Sequence, residues 1–160
     1  MRRQFAGLWG GLILAWLASP AFGATDLPAA IDLQAEVAQA ARHNAPLIVI
    51  YSRKDCKYCE AVKRDYLLPL SQNPRYRDKV VIRQINQDGE GQPIADFKGG
   101  TTTHARFAAS EKIKLVPVVA FYGPDGRKLA DPIIGARLPD FYMSYLEDAI
   151  EQASKALKKP

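Results

Sequence analysis

An α/β domain built on a mixed four-stranded sheet flanked by helices is the fold class that this sequence predicts. Three observations carry it. Apolar, β-branched runs at residues 47–51, 80–86 and 116–122 are separated by stretches of helical periodicity. Gly123-Pro124-Asp125-Gly126 is a tight-turn signal that joins the third run to a fourth at residues 128–134. The closing segment, residues 138–157, sets Phe141, Tyr145, Leu146, Ala149 and Ile150 at helical spacing.

Each element has a local reason. Residues 31–42 predict a helix with a partial apolar face at Ile31, Ala35, Val37 and Ala38. Asp32 and Glu36 lie at or near its first turn, where negative charge suits the helix dipole, and Asn44 and Pro46 end it. Leu47-Ile48-Val49-Ile50-Tyr51 is continuously apolar, as a strand buried on both faces should be. Ser52-Arg53-Lys54-Asp55 is a polar loop, and Asp55 is placed to cap a helix over residues 56–68 that Pro69, Asn73 and Pro74 would break. Residues 88–93 are a loop by composition. One of Thr101, Thr102 and Thr103 is placed to cap a helix running through Ala109 and Lys112. Asp131-Pro132 interrupts the fourth strand, which suits an edge. Alternation of strands and helices predicts parallel pairing, with the hairpin adding an antiparallel edge. No internal repeat, low-complexity tract or dividing linker is visible.

The first 23 residues have the layout of a secretory signal peptide. Arg2 and Arg3 are the positive start, residues 5–18 are an apolar run broken only by glycine, and Ala21-Phe22-Gly23 offers small residues for cleavage before Ala24. The run falls short of the ~20 residues that span a bilayer, so an uncleaved anchor is the lesser alternative. Residues 24–160 are then one domain, expected beyond an inner membrane, in the periplasm. The formal charge is +5; without Arg2 and Arg3 it is +3, from 20 basic and 17 acidic residues. So mild and scattered an excess argues against nucleic acid or an anionic membrane as the partner.

Two cysteines are present, Cys56 and Cys59. A disulfide across so short a loop constrains the unfolded chain very little, so stability is a poor reason for it. Two residues of separation at the start of a helix suit a pair that switches between dithiol and disulfide. An exported protein meets disulfides that must be made, broken or corrected.

The order of elements, with a buried strand leading into Cys56-Lys57-Tyr58-Cys59, resembles the thioredoxin fold. A second matching stretch is Lys114-Leu115-Val116-Pro117-Val118-Val119-Ala120-Phe121-Tyr122-Gly123-Pro124-Asp125-Gly126-Arg127. Thioredoxin-like proteins have a cis-proline there, before the hairpin. Gly135 after the last strand and the closing helix continue the pattern. The resemblance covers residues 31–157. Within the family the chain looks most like secreted bacterial thioredoxin-related proteins, including the periplasmic thioredoxins of sulfur-oxidation gene clusters. It departs from cytosolic thioredoxin in carrying Lys57-Tyr58 between the cysteines, in lacking tryptophan before them, and in placing Ile50 where the family has a buried aspartate. In the family that carboxylate assists proton transfer at the second cysteine, so another group or water would take that task here.

Cys56 and Cys59 are thus the catalytic, redox-active pair implied by the resemblance. Cys56 at a helix N-terminus is expected to titrate below the free value of ~8.5, with Lys57 tuning it in the same direction and Asp55 opposing. It would be the nucleophile, and Cys59 would resolve the mixed disulfide. Val116 and Pro117 would lie against the cysteines, with the Val116 backbone pairing to an extended substrate. Tyr58 would shape the rim and contact substrate. Tyr51 is expected in the core beneath the site, and His43 and His104 as bland residues, His104 at the surface.

The resemblance implies a thiol–disulfide oxidoreductase without cofactor, more a reductase than an oxidase because proline-histidine is absent between the cysteines. Its partners would be a disulfide-containing periplasmic protein or carrier and a membrane thiol-electron donor. No dimerisation segment is evident and a monomer is expected. Two alternatives stand beside it. One is a soft-metal module, such as copper delivery, with two thiolates and a histidine as ligands. Four-ligand zinc and haem attachment lack their ligands: Glu60, not histidine, follows Cys59. The other is an inert domain whose disulfide is a staple.

Overall fold

The computed structural model describes residues 26–137 and 139–158. The expected signal peptide, and Leu138 at the expected start of the closing helix, lie outside the described residues. The elements are α1 (Leu33–Ala41), β1 (Leu47–Ser52), α2 (Lys57–Val62), a π-helical turn (Lys63–Leu67), α3 (Leu68–Gln72), β2 (Val81–Asn86), β3 (Pro93–Ala95), β4 (Thr101–Thr103), α4 (His104–Ser110), β5 (Val118–Tyr122), β6 (Lys128–Ile134) and α5 (Pro139–Leu157).

The central sheet has the order β2-β1-β5-β6. β1 runs parallel to β2, with Leu47 opposite Val81 and Ser52 opposite Asn86. β5 runs antiparallel to β1, with Tyr51 opposite Val118, and β6 antiparallel to β5. The parallel pairing expected from alternation therefore holds for β1 and β2 alone. The connection from β2 through β3, β4 and the short α4 brings the chain back at the end of the sheet where β2 left it, so β5 runs the other way. The sheet is mixed and four-stranded, and it separates two apolar clusters. One face packs Ile48, Ile50, Val119 and Phe121 against Val62, Leu67, Leu146 and Ile150 of α2, the π turn and α5. The other packs Leu47, Val49, Tyr51, Ala120 and Tyr122 against Leu33, Val37 and Phe107 of α1 and α4. All six residues of β1 are buried, which is why its sequence shows no polar alternation. Burying each large apolar side chain there is worth roughly 1.5–3 kcal/mol.

Local chemistry explains the differences from expectation. The Asp32 carboxylate accepts the Ala35 N–H at 2.9 Å, so Asp32 is the cap of α1. Ile31 precedes the helix and is exposed; the buried face is Leu33, Val37 and Ala40. Helical structure also continues through Pro69 to Gln72. Proline cannot donate to the turn before it and its ring crowds the carbonyl there. The chain widens into the π turn immediately ahead, where the Leu68 N–H reaches back to the Lys63 carbonyl. The hairpin of β3 and β4 escaped the sequence analysis because three-residue strands are too short to show a period. Ile94 anchors it, fully buried. Thr103 caps α4, accepting the Arg106 N–H at 3.3 Å.

The edges are managed. Pro28 and Ala30 cover β2: the Gln84 N–H donates to the Pro28 carbonyl and the Ala30 N–H to the Gln84 carbonyl, both at 2.9 Å. β6, at the other edge, carries Pro132. The turn before it needs its glycine, since Gly126 has φ +73° and a Cβ there would meet the Phe97 ring at 2.5 Å.

His104 is not at the surface. It is buried at the start of α4, its Nδ1 accepting the Asn86 N–H at 3.0 Å and its Nε2 donating to the Ala30 carbonyl at 2.8 Å. It thereby ties the N-terminal segment, β2 and α4 together.

Tyr51 lies in the core, as expected, but has a polar partner. Its hydroxyl donates to the Tyr122 hydroxyl at 2.7 Å, because the Tyr122 proton is committed to Glu111 Oε2 at 2.9 Å. Glu111 in turn meets the Lys128 ammonium at 3.1 Å. Burial pushes both phenols far above their ordinary range, so both stay protonated in the native state. Unfolded, they lose protons above about pH 10; stability from this pair is therefore complete below that pH and falls as pH rises past it. Tyr122→Phe strands the buried Tyr51 O–H and should cost about 1–3 kcal/mol, whereas Tyr51→Phe leaves Tyr122 bonded to Glu111 and should cost less. Urea unfolding of the two variants checks that order.

Candidate active site

β1 ends at Ser52, and the exposed Arg53, Lys54 and Asp55 turn the chain into α2. Asp55 is not the cap that its sequence position suggested. It takes a left-handed conformation, φ +59°, to reverse the chain, and Lys54 N–H is held by the Asp88 carboxylate at 3.0 Å. The capping position falls to Cys56, whose extended backbone opens the helix and whose Sγ accepts the Cys59 N–H at 3.2 Å. The Cys56 sulfur thus occupies the place where a helix has unpaired donors. Negative charge on that sulfur is favoured by the same N–H groups and by the helix dipole.

Cys56 and Cys59 form a disulfide, S–S 2.08 Å, with Cα atoms 5.2 Å apart. Cys56 is 8% exposed and Cys59 0%, so of the two sulfurs Cys56 is the one on the solvent side. Lys57 and Tyr58 project outward. The Lys57 ammonium lies 5.2 Å from the Tyr58 ring centroid, and Tyr58 is 58% exposed. Tyr58 is therefore at the rim, available to another molecule.

The Val116–Pro117 peptide bond is cis. Pro117 is buried, Val116 half-buried, and the next residue, Val118, pairs with Tyr51 on β1. The start of β5 and the end of β1 therefore share one end of the sheet, and this register sets Val116 and Pro117 at the end from which Cys56 emerges. The Pro117 carbonyl accepts the Gly135 N–H at 2.8 Å, which fastens this segment to the end of β6.

Ile50, on β1, is fully buried in the apolar cluster that holds Val62, Leu67 and Phe121. A buried charge just beyond the cysteines had no place in the sequence-based expectations. Lys63 lies one turn beyond Cys59, its side chain 5% exposed, with its ammonium 2.7 Å from Glu60 and 3.6 Å from Asp26. The positions of Glu60 and Lys63, one helical turn apart, were the available signal for this pair. They line a polar cleft of about 330 Å³ with Ser52, Arg53 and Asn86, at the carboxyl ends of β1 and β2.

Among the described residues no group of three His, Cys, Asp or Glu side chains is arranged to hold a metal ion. The two sulfurs are bonded to each other, and His104 spends both ring nitrogens on backbone groups. No helix among the described residues is long and apolar enough to cross a membrane.

Comparison with known proteins agrees with this geometry. The family model described as "Thioredoxin-like domain" matches residues 33–150. The oxidized form of mitochondrial thioredoxin 3 from Saccharomyces cerevisiae is 18% identical, with TM-score 0.52 over 78% of this chain and 93% of that one. A structure titled "DsbH Oxidoreductase" is 15% identical, with TM-score 0.54 over 89% of this chain and 95% of that one. Fasciola hepatica thioredoxin is 16% identical, with TM-score 0.51 over 77% and 98%. At these identities the likeness is one of fold. No curated protein sequence matches the chain.

The exposure difference makes a prediction. In the reduced protein a thiol-alkylating reagent should label Cys56 first and leave Cys59 protected until Cys56 is consumed. Peptide mapping by mass spectrometry after brief treatment with iodoacetamide checks it; equal labelling would contradict it.

Proposed function

Because this chain belongs to the thioredoxin-like domain family and carries a Cys-x-x-Cys pair at disulfide distance, we propose that it is a thiol–disulfide oxidoreductase that reduces protein or carrier disulfides in the periplasm. The observation that carries the reading is Cys56 Sγ capping the helix that also bears Cys59.

The cycle starts from the dithiol. Cys56, as thiolate, attacks one sulfur of a substrate disulfide; a new S–S bond forms to Cys56 and the other substrate sulfur leaves as a thiolate. Cys59, deprotonated, attacks Cys56 Sγ; the mixed disulfide breaks and the second substrate sulfur leaves. Two electrons pass to the substrate, whose two thiolates take up the two protons given up by the cysteines. The Cys56–Cys59 disulfide is the product state, and a dithiol donor, reached through a membrane thiol transporter, returns it to the start. With Ile50 in place of a carboxylate, the proton of Cys59 leaves through water or through the Glu60 side, where a carboxylate faces the polar cleft.

Val116 and Pro117 support substrate recognition: the Val116 backbone precedes β5 and can pair with an extended segment. Tyr58 supports it from the rim, and Lys57 supplies positive charge beside Cys56. Export rests on the sequence of residues 1–23, and apocytochrome cysteines, sulfur-oxidation carriers and oxidised periplasmic proteins are the substrate classes considered. We take the working form to be a monomer.

Insulin disulfide reduction driven by dithiothreitol tests the reading. Wild-type protein should accelerate insulin precipitation. Cys56→Ser should abolish turnover, and Cys59→Ser should stop turnover while accumulating a covalent mixed disulfide visible on a non-reducing gel. Normal turnover by Cys59→Ser would overturn its resolving role.

A further inference from the structure

We propose that an apolar groove on the β5–β6 face, beside the Val116–Pro117 segment, is a second docking site, which takes an extended substrate segment rich in leucine-like and acidic side chains. The proposal rests on the disulfide-reductase reading and adds the class of polypeptide that the reductase prefers.

The groove has a volume of about 250 Å³. Val118 and Ala120 of β5 form its floor, and Leu115, Pro132 and Ile134 its walls. Leu115 is 71% exposed and Ile134 59% exposed. Two large apolar side chains left open across one groove cost free energy in water that a bound apolar segment would recover. α4 ends at Ser110, just before Glu111, Lys112 and Lys114, which line the groove.

The rim adds a sign. Lys112, Lys114 and Lys128 line the groove, with Glu111 as its one acidic residue. That carboxylate is already engaged by Lys128 at 3.1 Å and by the Tyr122 hydroxyl at 2.9 Å. Lys112 and Lys114 make no ion pair among the described residues. Two free ammonium groups beside an apolar trough are complementary to carboxylates flanking apolar side chains. The mild overall charge of the chain makes this local concentration of lysine the more selective.

The groove is continuous with the proposed active site. Leu115 is bonded to Val116, and Ile134 leads to Gly135, whose N–H holds the Pro117 carbonyl. A segment pairing with the Val116 backbone would therefore pass its next side chains across Leu115 and Ile134. Ordinary strand addition along β6 is obstructed, since Pro132 removes a donor in mid-strand. Recognition in the groove is then by side chains, which gives it sequence preference.

The test uses two cysteine-free peptides of equal length, one alternating leucine with glutamate and one alternating leucine with lysine, titrated into the oxidised protein with backbone amide NMR. The acidic peptide should shift the amides of Lys112, Lys114, Leu115, Val118 and Ile134. Its Kd should weaken about tenfold in Lys112→Glu/Lys114→Glu, and it should also weaken in Ile134→Ser. Raised salt should remove the preference for the acidic peptide. In parallel, the reduced charge-reversal variant should reduce hydroxyethyl disulfide, a small neutral substrate, at the wild-type rate. Equal affinity for both peptides, shifts confined to other surfaces, or no shift would overturn the docking site. Peptide binding as described in a protein that fails to reduce hydroxyethyl disulfide would sink the reductase reading and leave the groove standing.

Discussion

β1 is paired on both edges and buried on both faces, and that enclosure is the constraint on which the site depends. A strand so held cannot shift register without turning its whole apolar set, so its last residue is fixed in space. From Ser52 a short turn, reversed at Asp55, delivers Cys56 to the start of a helix. β5, bonded to the same strand, brings Val116 and Pro117 to that end of the sheet. Cys56 and the Val116–Pro117 backbone are thus positioned by one element, and the loops that carry them need little stability of their own.

The electrostatics around the sulfurs are divided. On the solvent side, the Cys59 N–H donates to Cys56 Sγ at the start of α2, where the helix dipole favours negative charge, and the exposed Lys57 follows Cys56 in sequence. On the core side, Ile50 is buried in an apolar cluster with Val62, Leu67 and Phe121. Charge reappears one helical turn beyond Cys59, where the buried Lys63 ammonium is neutralised by Glu60 and Asp26. Burying that ammonium without a partner would cost several kcal/mol, so Glu60 is as much a structural requirement of Lys63 as a solvated residue next to the site. Glu60 and Lys63, just beyond Cys59 in the chain, line the polar cleft, while Ile50 supplies no carboxylate.

The sequence made the frame legible because buried strands and paired cysteines announce themselves through residue type. The run 47–51 could hardly be anything except an interior strand, and the spacing of Cys56 and Cys59 indicated its own use. Val116-Pro117 became legible only through its resemblance to a known pattern. What escaped were features decided by contacts distant in the chain. Pro69 reads as a helix breaker until the π turn ahead of it is seen to absorb the conflict. His104 reads as a surface residue until β2 and the N-terminal segment present an N–H and a carbonyl to its two nitrogens. Asp55 has the right side chain for a cap but the wrong backbone, and the sulfur next to it takes the position. The tyrosine pair could not be read from apolar periodicity, because only the sheet register brings Tyr51 and Tyr122 together.

The central claim is that Cys56 and Cys59 exchange electrons reversibly with other thiols. Equilibrating the protein with graded mixtures of reduced and oxidised dithiothreitol or glutathione, then counting trapped thiols by mass, measures this directly. The account predicts a smooth two-electron transition at a potential above about −300 mV, in the range where cellular dithiols and disulfides exchange. A disulfide that persists through every mixture, with a potential far below that value, would show a structural staple and contradict the account.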